Sequence, residues 1–163
     1  MNVVIIPLSN LAATTSLGAA IGASLRPGDR ILLSGDLGSG KTTLARAIGV
    51  ALHAEPELTS PTFILVAEHR GDLPIWHVDA YRLPVGSDAL CAGVIDERQQ
   101  RGVTLIEWPE HLEGLGAVGT GVLSIHLAAG DEDGARSAVI SGARPELRAV
   151  LDTTFDTIEP NRG

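Results

Sequence analysis

The stretch Gly35-Asp36-Leu37-Gly38-Ser39-Gly40-Lys41-Thr42 decides how the rest of this sequence is interpreted. It fits the pattern of a glycine, any four residues, and then Gly-Lys-Thr or Gly-Lys-Ser, which is typical of a loop that wraps around phosphate groups. The apolar run at residues 30–34 precedes it, and an amphipathic pattern follows it. A phosphate loop needs this strand–loop–helix context, because backbone N–H groups and a helix N-terminus together bind the anion. The stretch therefore predicts a nucleotide-binding domain.

Lys41 is the only lysine among the 12 basic residues of the chain. A lysine presents a compact charge on a thin stem, whereas an arginine presents a wide planar fork. We expect Lys41 to bridge the β- and γ-phosphates of a nucleotide and the Thr42 hydroxyl to ligate Mg²⁺. Thr43 lies one position further, where its side chain can reach the α-phosphate. The sole lysine thus falls on the one position whose chemistry needs it.

A magnesium site needs a second anchor, normally an acid at the end of a neighbouring buried strand. Glu107 follows the apolar run 103–106, and Asp79 follows the run 75–78. Either carboxylate could hold Mg²⁺ directly or through water, or could orient an attacking water. These patterns do not rank the two acids. His77 is expected to pack beside the sheet in a hydrogen bond rather than to bind a metal.

Apolar and polar stretches alternate along the chain in an α/β order. After the phosphate loop, five residues lie at helical spacing, so one face of that helix is apolar: Leu44, Ala47, Ile48, Ala51 and Leu52. Strands are predicted at 3–6, 30–34, 63–67, 75–78, 103–106, 122–127 and 137–140. Further helices are predicted at about 10–24, where Ser9-Asn10 can form the N-terminal cap, and at 87–100 and 144–151. No repeat or linker divides the sequence, so we expect one domain over residues 1–163, with a frayed tail from residue 152.

Composition limits the possible functions. The 163 residues carry 20 acidic and 12 basic side chains, for a net charge of −8, and only five aromatic residues. This balance argues against direct binding to DNA or RNA, which needs clustered cations and stacking surfaces. A single cysteine, Cys91, excludes an intramolecular disulfide and fits a reducing cytosol. The sequence shows no signal peptide and no apolar stretch long enough to cross a membrane, so we expect a cytoplasmic protein.

Three further strings follow the phosphate loop in order: Ser60-Pro61-Thr62-Phe63, His77-Val78-Asp79-Ala80-Tyr81-Arg82-Leu83 and Ile106-Glu107-Trp108-Pro109-Glu110. A phosphate loop alone occurs in thousands of proteins, but these strings in this order are specific. Together they resemble the TsaE (YjeE) family. The resemblance covers about residues 30–110, which is half of the chain.

The resemblance implies a P-loop ATPase with a mainly parallel sheet, flanking helices and additional antiparallel strands. Such an ATPase supports the threonylcarbamoyl modification of adenosine 37 in ANN-decoding tRNAs. It acts with the transferase pair TsaD and TsaB, so tRNA is contacted only indirectly.

The resemblance also implies roles for individual residues. The phosphates of ATP or ADP are bound by six consecutive residues of the loop: Gly38, Ser39, Gly40, Lys41, Thr42 and Thr43. Thr42 and Glu107 hold Mg²⁺, and Asp79 is a second catalytic acid near the γ-phosphate. Residues 60–62 are a switch-like segment beside the nucleotide, and residues 9–11 lie near the base.

From about residue 111 onward the family pattern is weak, so the resemblance assigns no nucleotide contact there, Arg136 included. Arg82 fits either a transition-state finger or a salt bridge within its own strand. Two alternatives to a partner-coupled ATPase remain: a small-molecule kinase, and a nucleotide-gated binding module without useful hydrolysis. A kinase of that type usually has an arginine-rich lid, but residues 111–121 contain no arginine.

Overall fold

The structure is a computed structural model that describes residues 2–60, 65–119, 121–129 and 135–160. Nine strands are present in this part of the chain: β1 (Val3–Leu8), β2 (Arg30–Gly35), β3 (Val66–His69), β4 (Ile75–Asp79), β5 (Ser87–Asp88), β6 (Val103–Glu107), β7 (Leu112–Glu113), β8 (Val122–Ala129) and β9 (Arg136–Ser141). The α-helices of these residues are α1 (Leu11–Ser24), α2 (Lys41–Ala51) and α3 (Pro145–Thr154), and short 3₁₀ helices span Glu97–Arg101 and Pro109–His111. None of the described helices is long and apolar enough to cross a membrane.

Seven strands form one mixed sheet in the order β1-β9-β8-β2-β6-β4-β3. The four central strands, β8, β2, β6 and β4, run parallel. At the edges, β9 and β1 on one side and β3 on the other pair antiparallel. This arrangement confirms the predicted α/β fold with a parallel centre and added antiparallel strands. The carboxyl ends of β2, β4 and β6 meet at one edge, which is where ligands bind in sheets of this kind.

All three α-helices pack on one face of the sheet, over the larger of two apolar cores. The predicted cap of the first helix is confirmed at Asn10, whose Oδ1 accepts a hydrogen bond from the Ala13 N–H at 2.9 Å. Helix α1 lies close against α2, since a Cβ added at Gly18 would be only 2.4 Å from the Ala47 Cβ. The apolar residues predicted for α2 face this core, where Leu44 and Ile48 are fully buried.

The opposite face of the central strands is covered by irregular chain, where we had predicted a helix over residues 87–100. That prediction is wrong: the segment contains β5, a series of turns and the 3₁₀ helix Glu97–Arg101. Carboxylates satisfy backbone N–H groups in these turns, since Asp88 accepts from Cys91 at 2.8 Å and Asp96 accepts from Arg98 at 2.7 Å. Such local bonds compete with helical ones, and Gly93 adopts a φ of 74°, outside the helical region.

Ala89 and Val94 of this segment are nevertheless fully buried in the second apolar core, together with Val78 and Ile106 of the sheet. The apolar residues whose pattern predicted a helix therefore do face the core, but they lie in turns. The predicted strand at 63–67 is observed in part as β3, while residues 61–64 lie outside the described residues.

The expectation of a frayed tail from residue 152 is wrong for its first part. Residues 152–154 extend α3. Beyond the helix, Ile158 exchanges two backbone hydrogen bonds with Ile5 of β1, at 2.8 and 2.9 Å. Arg148 donates hydrogen bonds to Asp152 and Glu159, both at 2.9 Å. The described part of the tail, up to residue 160, is thus anchored to strand β1 and helix α3.

Candidate nucleotide-binding site

The site lies where the parallel strands end. Strand β2 leads into the phosphate loop, β6 ends at Glu107 and β4 ends at Asp79. In the parallel pairing of β4 and β6, Asp79 lies directly beside Glu107. Both acids belong to the helix-covered side of their strands, because Glu107 contacts the first turn of α2. The structure therefore brings together the two acids and the loop that the sequence singled out.

The phosphate loop has backbone conformations that need glycine. Gly40, which precedes α2, has a φ of 102°. Gly35 has a φ of 141°, and a Cβ there would lie 2.5 Å from the Leu127 carbonyl oxygen and 2.6 Å from Ser39 Oγ. Another residue at position 35 would combine backbone strain with a clash. The two glycines fix the path of the loop into the N-terminus of α2.

Lys41 is held inside its own loop. Its ammonium donates hydrogen bonds to the carbonyl oxygens of Gly35 at 2.6 Å and Asp36 at 2.9 Å. Only 5% of the residue is exposed. Burial lowers the pKa of the Lys41 ammonium below its ordinary value of 10.5, while Glu107 and other nearby carboxylates act in the opposite direction. The ammonium is thus held in place by carbonyl oxygens of its own loop.

Glu107 links the loop to the sheet. One oxygen, Oε1, accepts a hydrogen bond from the Thr42 hydroxyl at 2.9 Å. The other, Oε2, lies 2.6 Å from Nε2 of His77, which is fully buried. His77 is therefore hydrogen-bonded beside the sheet as expected, and its partner is the acid that the sequence marked as a magnesium ligand.

Asp79 has different surroundings from Glu107. It is half-buried, and its Oδ1 accepts a hydrogen bond from the Tyr81 N–H at 3.0 Å. It lines a cleft of about 440 Å³ together with the phosphate loop and Glu107. Asp79 is therefore adjacent to the phosphate-binding residues but does not share the Thr42 contact.

An aromatic wall closes one side of the cleft, and the sequence did not indicate it. Trp108, Tyr81 and His111 lie against one another, with the centroids of the Trp108 and Tyr81 rings 4.9 Å apart. Trp108 contacts the second core. Its ring also lies over Lys41, with the ammonium 4.4 Å from the ring centroid. The left-handed backbone of Trp108, with a φ of 59°, directs the chain away from β6 at this point.

Two more side chains of the cleft come from distant parts of the sequence. Ser60 and Arg82 both line it. Ser60 begins the predicted switch-like segment, whose remaining residues, 61 and 62, lie outside the described part of the chain. Arg82 lies in the turn after β4, outside the strand itself.

A second cavity of about 230 Å³ adjoins the cleft on the side of β1 and α1. Leu8, Asn10, Leu11 and Thr14 form its outer wall. It shares Gly40, Thr43 and Arg136 with the larger cleft. The resemblance to the family assigns no role to Arg136, and the structure brings its side chain next to Gly40 of the phosphate loop.

The sequence model of the family described as "Threonylcarbamoyl adenosine biosynthesis protein TsaE" matches residues 8–138. This chain belongs to the TsaE family. The match extends well beyond the half of the chain that the motifs covered, and it includes Arg136 and the N-terminal residues of the second cavity.

Named relatives agree with this assignment to the TsaE family. A "tRNA threonylcarbamoyladenosine biosynthesis protein TsaE" from a Nostoc species is 38% identical over 138 residues, covering 82% of this chain and 83% of the relative. The protein of that name from Streptomyces coelicolor is 43% identical over 97 residues, which is 58% of this chain and 66% of the relative. The TsaE relatives are thus named for a role in the biosynthesis of a modified tRNA nucleoside.

The fold has a solved counterpart, the crystal structure of Bacillus subtilis YdiB. The two structures align with a TM-score of 0.68 over 93% of each chain, at 24% sequence identity. This likeness supports the P-loop-like α/β architecture of the TsaE-family chain.

Proposed function

We propose that this protein binds and hydrolyses ATP and that it supports threonylcarbamoyl modification of adenosine 37 in ANN-decoding tRNAs, in the cytoplasm, together with the TsaD–TsaB pair. The observation that carries the ATPase part is the contact between Thr42 and Glu107 next to Lys41. Membership of the TsaE family supports the tRNA-modification part. The net charge of −8 fits a protein that reaches tRNA through its partners.

Binding of phosphate would use groups that already converge on the loop. The Lys41 ammonium donates to two carbonyl oxygens of its own loop, and these bonds can be exchanged for stronger ones to charged phosphate oxygens. The glycine conformations leave room for phosphate at the N-terminus of α2, where the helix dipole favours an anion. We assign the phosphates to residues 38–43.

The residues at the end of β6 fit a magnesium ion. Mg²⁺ prefers oxygen ligands and commonly keeps several waters, so one hydroxyl and one carboxylate are a sufficient protein contribution. Thr42 Oγ1 and Glu107 supply these, and the hydrogen bond from His77 orients the carboxylate. Bound Mg²⁺ would neutralise charge on the β- and γ-phosphates. No three His, Cys, Asp or Glu side chains cluster as metal ligands among the described residues.

We assign Asp79 a separate task in the same cleft. It is more exposed than Glu107, and Thr42 donates to Glu107 instead. We assign it to the orientation of the attacking water. The second cavity, with Leu8, Asn10 and Leu11 on its wall, agrees with the expectation that residues 9–11 lie near the base.

The test is ATP hydrolysis by the purified protein, alone and with the TsaD–TsaB pair. We expect a slow rate alone that rises when the pair is added. Protein carrying Lys41→Ala, prepared in the same way, corrects for contaminating ATPases. A hydrolysis rate that does not change when the TsaD–TsaB pair is added would contradict the partner-coupled function. It would favour a small-molecule kinase, which would then be tested with candidate phosphate acceptors. Tight nucleotide binding without hydrolysis under any condition would favour a nucleotide-gated binding module.

A further inference from the structure

The buried imidazole of His77 has an uneven set of polar contacts. His77 lies on β4 and is fully buried. Its Nε2 is 2.6 Å from Oε2 of Glu107, and a carboxylate only accepts hydrogen bonds, so the Nε2–H donates. The other ring nitrogen, Nδ1, is buried and has no hydrogen-bond partner among the described residues. Within that part of the chain, the one polar contact of the imidazole is therefore with Glu107.

An apolar side chain at position 77 would suit the surrounding core better than histidine does. His77 follows the fully buried Ile75 on the same face of β4 and pairs with the fully buried Leu105 of β6. A buried polar atom without a partner, such as Nδ1 here, costs free energy. The hydrogen bond to Glu107 is thus what a histidine supplies at this position and an apolar residue cannot.

The two oxygens of Glu107 are held by different partners. Oε1 accepts from the Thr42 hydroxyl at 2.9 Å, whereas Oε2 accepts from His77. Glu107 is only 3% exposed, so water has little access to either oxygen. Because Oε2 is committed to the imidazole, Glu107 has one oxygen left for an ion beside Thr42.

The number of available carboxylate oxygens distinguishes Mg²⁺ from Ca²⁺. Mg²⁺ needs a near-octahedral set of single oxygens and keeps several waters. Ca²⁺ takes roughly six to eight oxygens at longer distances and readily uses both oxygens of one carboxylate. A hydroxyl and a single carboxylate oxygen, from Thr42 and Glu107, therefore suit Mg²⁺ better than Ca²⁺.

We propose that His77 is a positioning residue that makes this metal site selective for Mg²⁺ over Ca²⁺, by leaving Glu107 only one oxygen for the ion. The inference rests on the proposed function, since it assumes that the cleft binds a nucleotide with a divalent cation. Without the hydrogen bond from His77, the carboxylate is free to turn and present both oxygens. His77 thus acts through Glu107 and touches neither the nucleotide nor the ion.

The experiment is isothermal titration calorimetry of ADP with Mg²⁺, with Ca²⁺ and with EDTA in place of metal. The variants are His77→Leu, which removes the hydrogen bond, His77→Gln, whose amide nitrogen lies near the position of Nε2, and His77→Asn, which is too short to reach Glu107. The control is Ile75→Val, a small deletion on the same face of β4, beside Val103 and four positions before the level of Glu107. Circular dichroism and thermal melting without nucleotide establish that each protein is folded.

The quantity compared is the affinity for ADP with Mg²⁺ divided by the affinity with Ca²⁺. We expect this ratio to exceed one in wild type and to fall by about 10 to 100 in His77→Leu and His77→Asn, the usual effect of losing the partner of a metal ligand. His77→Gln should recover much of the ratio, and Ile75→Val should match wild type. Binding with EDTA should change little in any variant.

A merely structural role for His77 would give another result. It would lower the affinity equally with Mg²⁺, with Ca²⁺ and with EDTA, so that the ratio stays at the wild-type value, and this would overturn the proposal. A wild-type protein without preference for Mg²⁺ would overturn it as well. Should His77→Leu not fold, the two amides decide, because equal ratios in His77→Gln and His77→Asn would exclude a role for the donor at Nε2.

Failure of the proposed function is distinguishable from failure of this inference. If wild type binds no ADP under any condition, or binds it equally with Mg²⁺ and with EDTA, the magnesium-dependent function fails. If wild type needs Mg²⁺ and His77→Leu keeps the wild-type ratio, only the role of His77 fails.

Discussion

Both faces of the central sheet bury apolar side chains, although the chain segments that cover the two faces differ greatly in regularity. One face is covered by α1, α2 and α3, and the other by turns and short segments within residues 80–96 and 108–115. Ile48 on the first side and Val94 on the second are both fully buried. Ile48 lies in a helix, whereas Val94 lies in a turn. A hydrophobic pattern therefore predicts a helix only where no side chain or glycine favours a turn instead.

The candidate site combines the two faces. The helix-covered side supplies Lys41 and Thr42 on α2 and the strand-end acids beside them. The irregular side supplies the aromatic wall, with Trp108 lying over the Lys41 ammonium. We therefore expect the phosphate chemistry to depend on the regular side and the enclosure of the site to depend on the irregular side. The following experiments test that division.

The largest effect is expected for Lys41→Ala, on the helix-covered side. The γ-phosphate loses the cation that stabilises it, so ATP hydrolysis should fall by about a hundredfold or more, with loss of support for tRNA modification. The measurement is the steady-state hydrolysis rate, with Lys41→Arg as the control that keeps the charge but changes its shape. Normal turnover by Lys41→Ala would refute the assignment of the phosphate loop.

A stability comparison tests whether the helix-covered face relaxes less around a cavity than the irregular face does. Leu17 of α1 is fully buried, and Leu115 of the irregular cover is 7% exposed. Truncation of a buried leucine costs about 2–5 kcal/mol, depending on how far the surroundings relax into the space. We expect Leu17→Ala near the top of that range and Leu115→Ala near the bottom, measured as the free energy of unfolding in urea. Equal losses would mean that the turns are packed as rigidly as the helices.

A smaller and more specific effect is expected for Glu107→Ala. Removing the carboxylate takes away the partner of Thr42 and the proposed metal ligand. Binding of the nucleotide with Mg²⁺ should weaken by about tenfold, and binding without metal by less. Calorimetry with and without Mg²⁺ measures the difference, and Glu107→Gln serves as an isosteric variant. If both affinities fall equally, Glu107 has a structural role only.

The smallest effect concerns the end of helix α3. Hydrogen bonds from Thr157 and Arg148 hold the pKa of the Asp152 carboxyl below its ordinary value of 3.8. The ionised form is favoured in the folded state, so its stabilisation is present above pH 3.8 and is lost as the pH falls through the lower folded pKa. Asp152→Asn should therefore lower the melting temperature slightly at pH 7, and this difference from wild type should shrink as the pH falls below 3.8. A difference in melting temperature that does not change with pH would show that the charge is not the cause.

Much of the site could be predicted from local sequence. The phosphate loop, the strand before it and the helix after it follow from one short pattern, and the acids at strand ends follow from the polar residue after an apolar run. Asn10 was predicted as a cap because its side chain acts on a neighbour three residues away. These features depend on residues that are close in the chain, so their physical cause is present in the sequence.

The remaining features depend on long-range contacts. His77 meets Glu107 across 30 residues, and Trp108 and Arg136 reach the phosphate loop from separate strands. The prediction of a helix at 87–100 is wrong for a related reason. Asp88, Gly93 and Asp96 favour turns. The apolar residues Ala89 and Val94 are nevertheless buried in the second core.

Residue type and spacing were thus enough to predict the strand, loop and helix around residues 35–42 and the α/β class of the fold, because those depend on short-range geometry. The tertiary structure alone established which side chains surround the phosphate loop, since the order of strands in the sheet decides which distant residues meet.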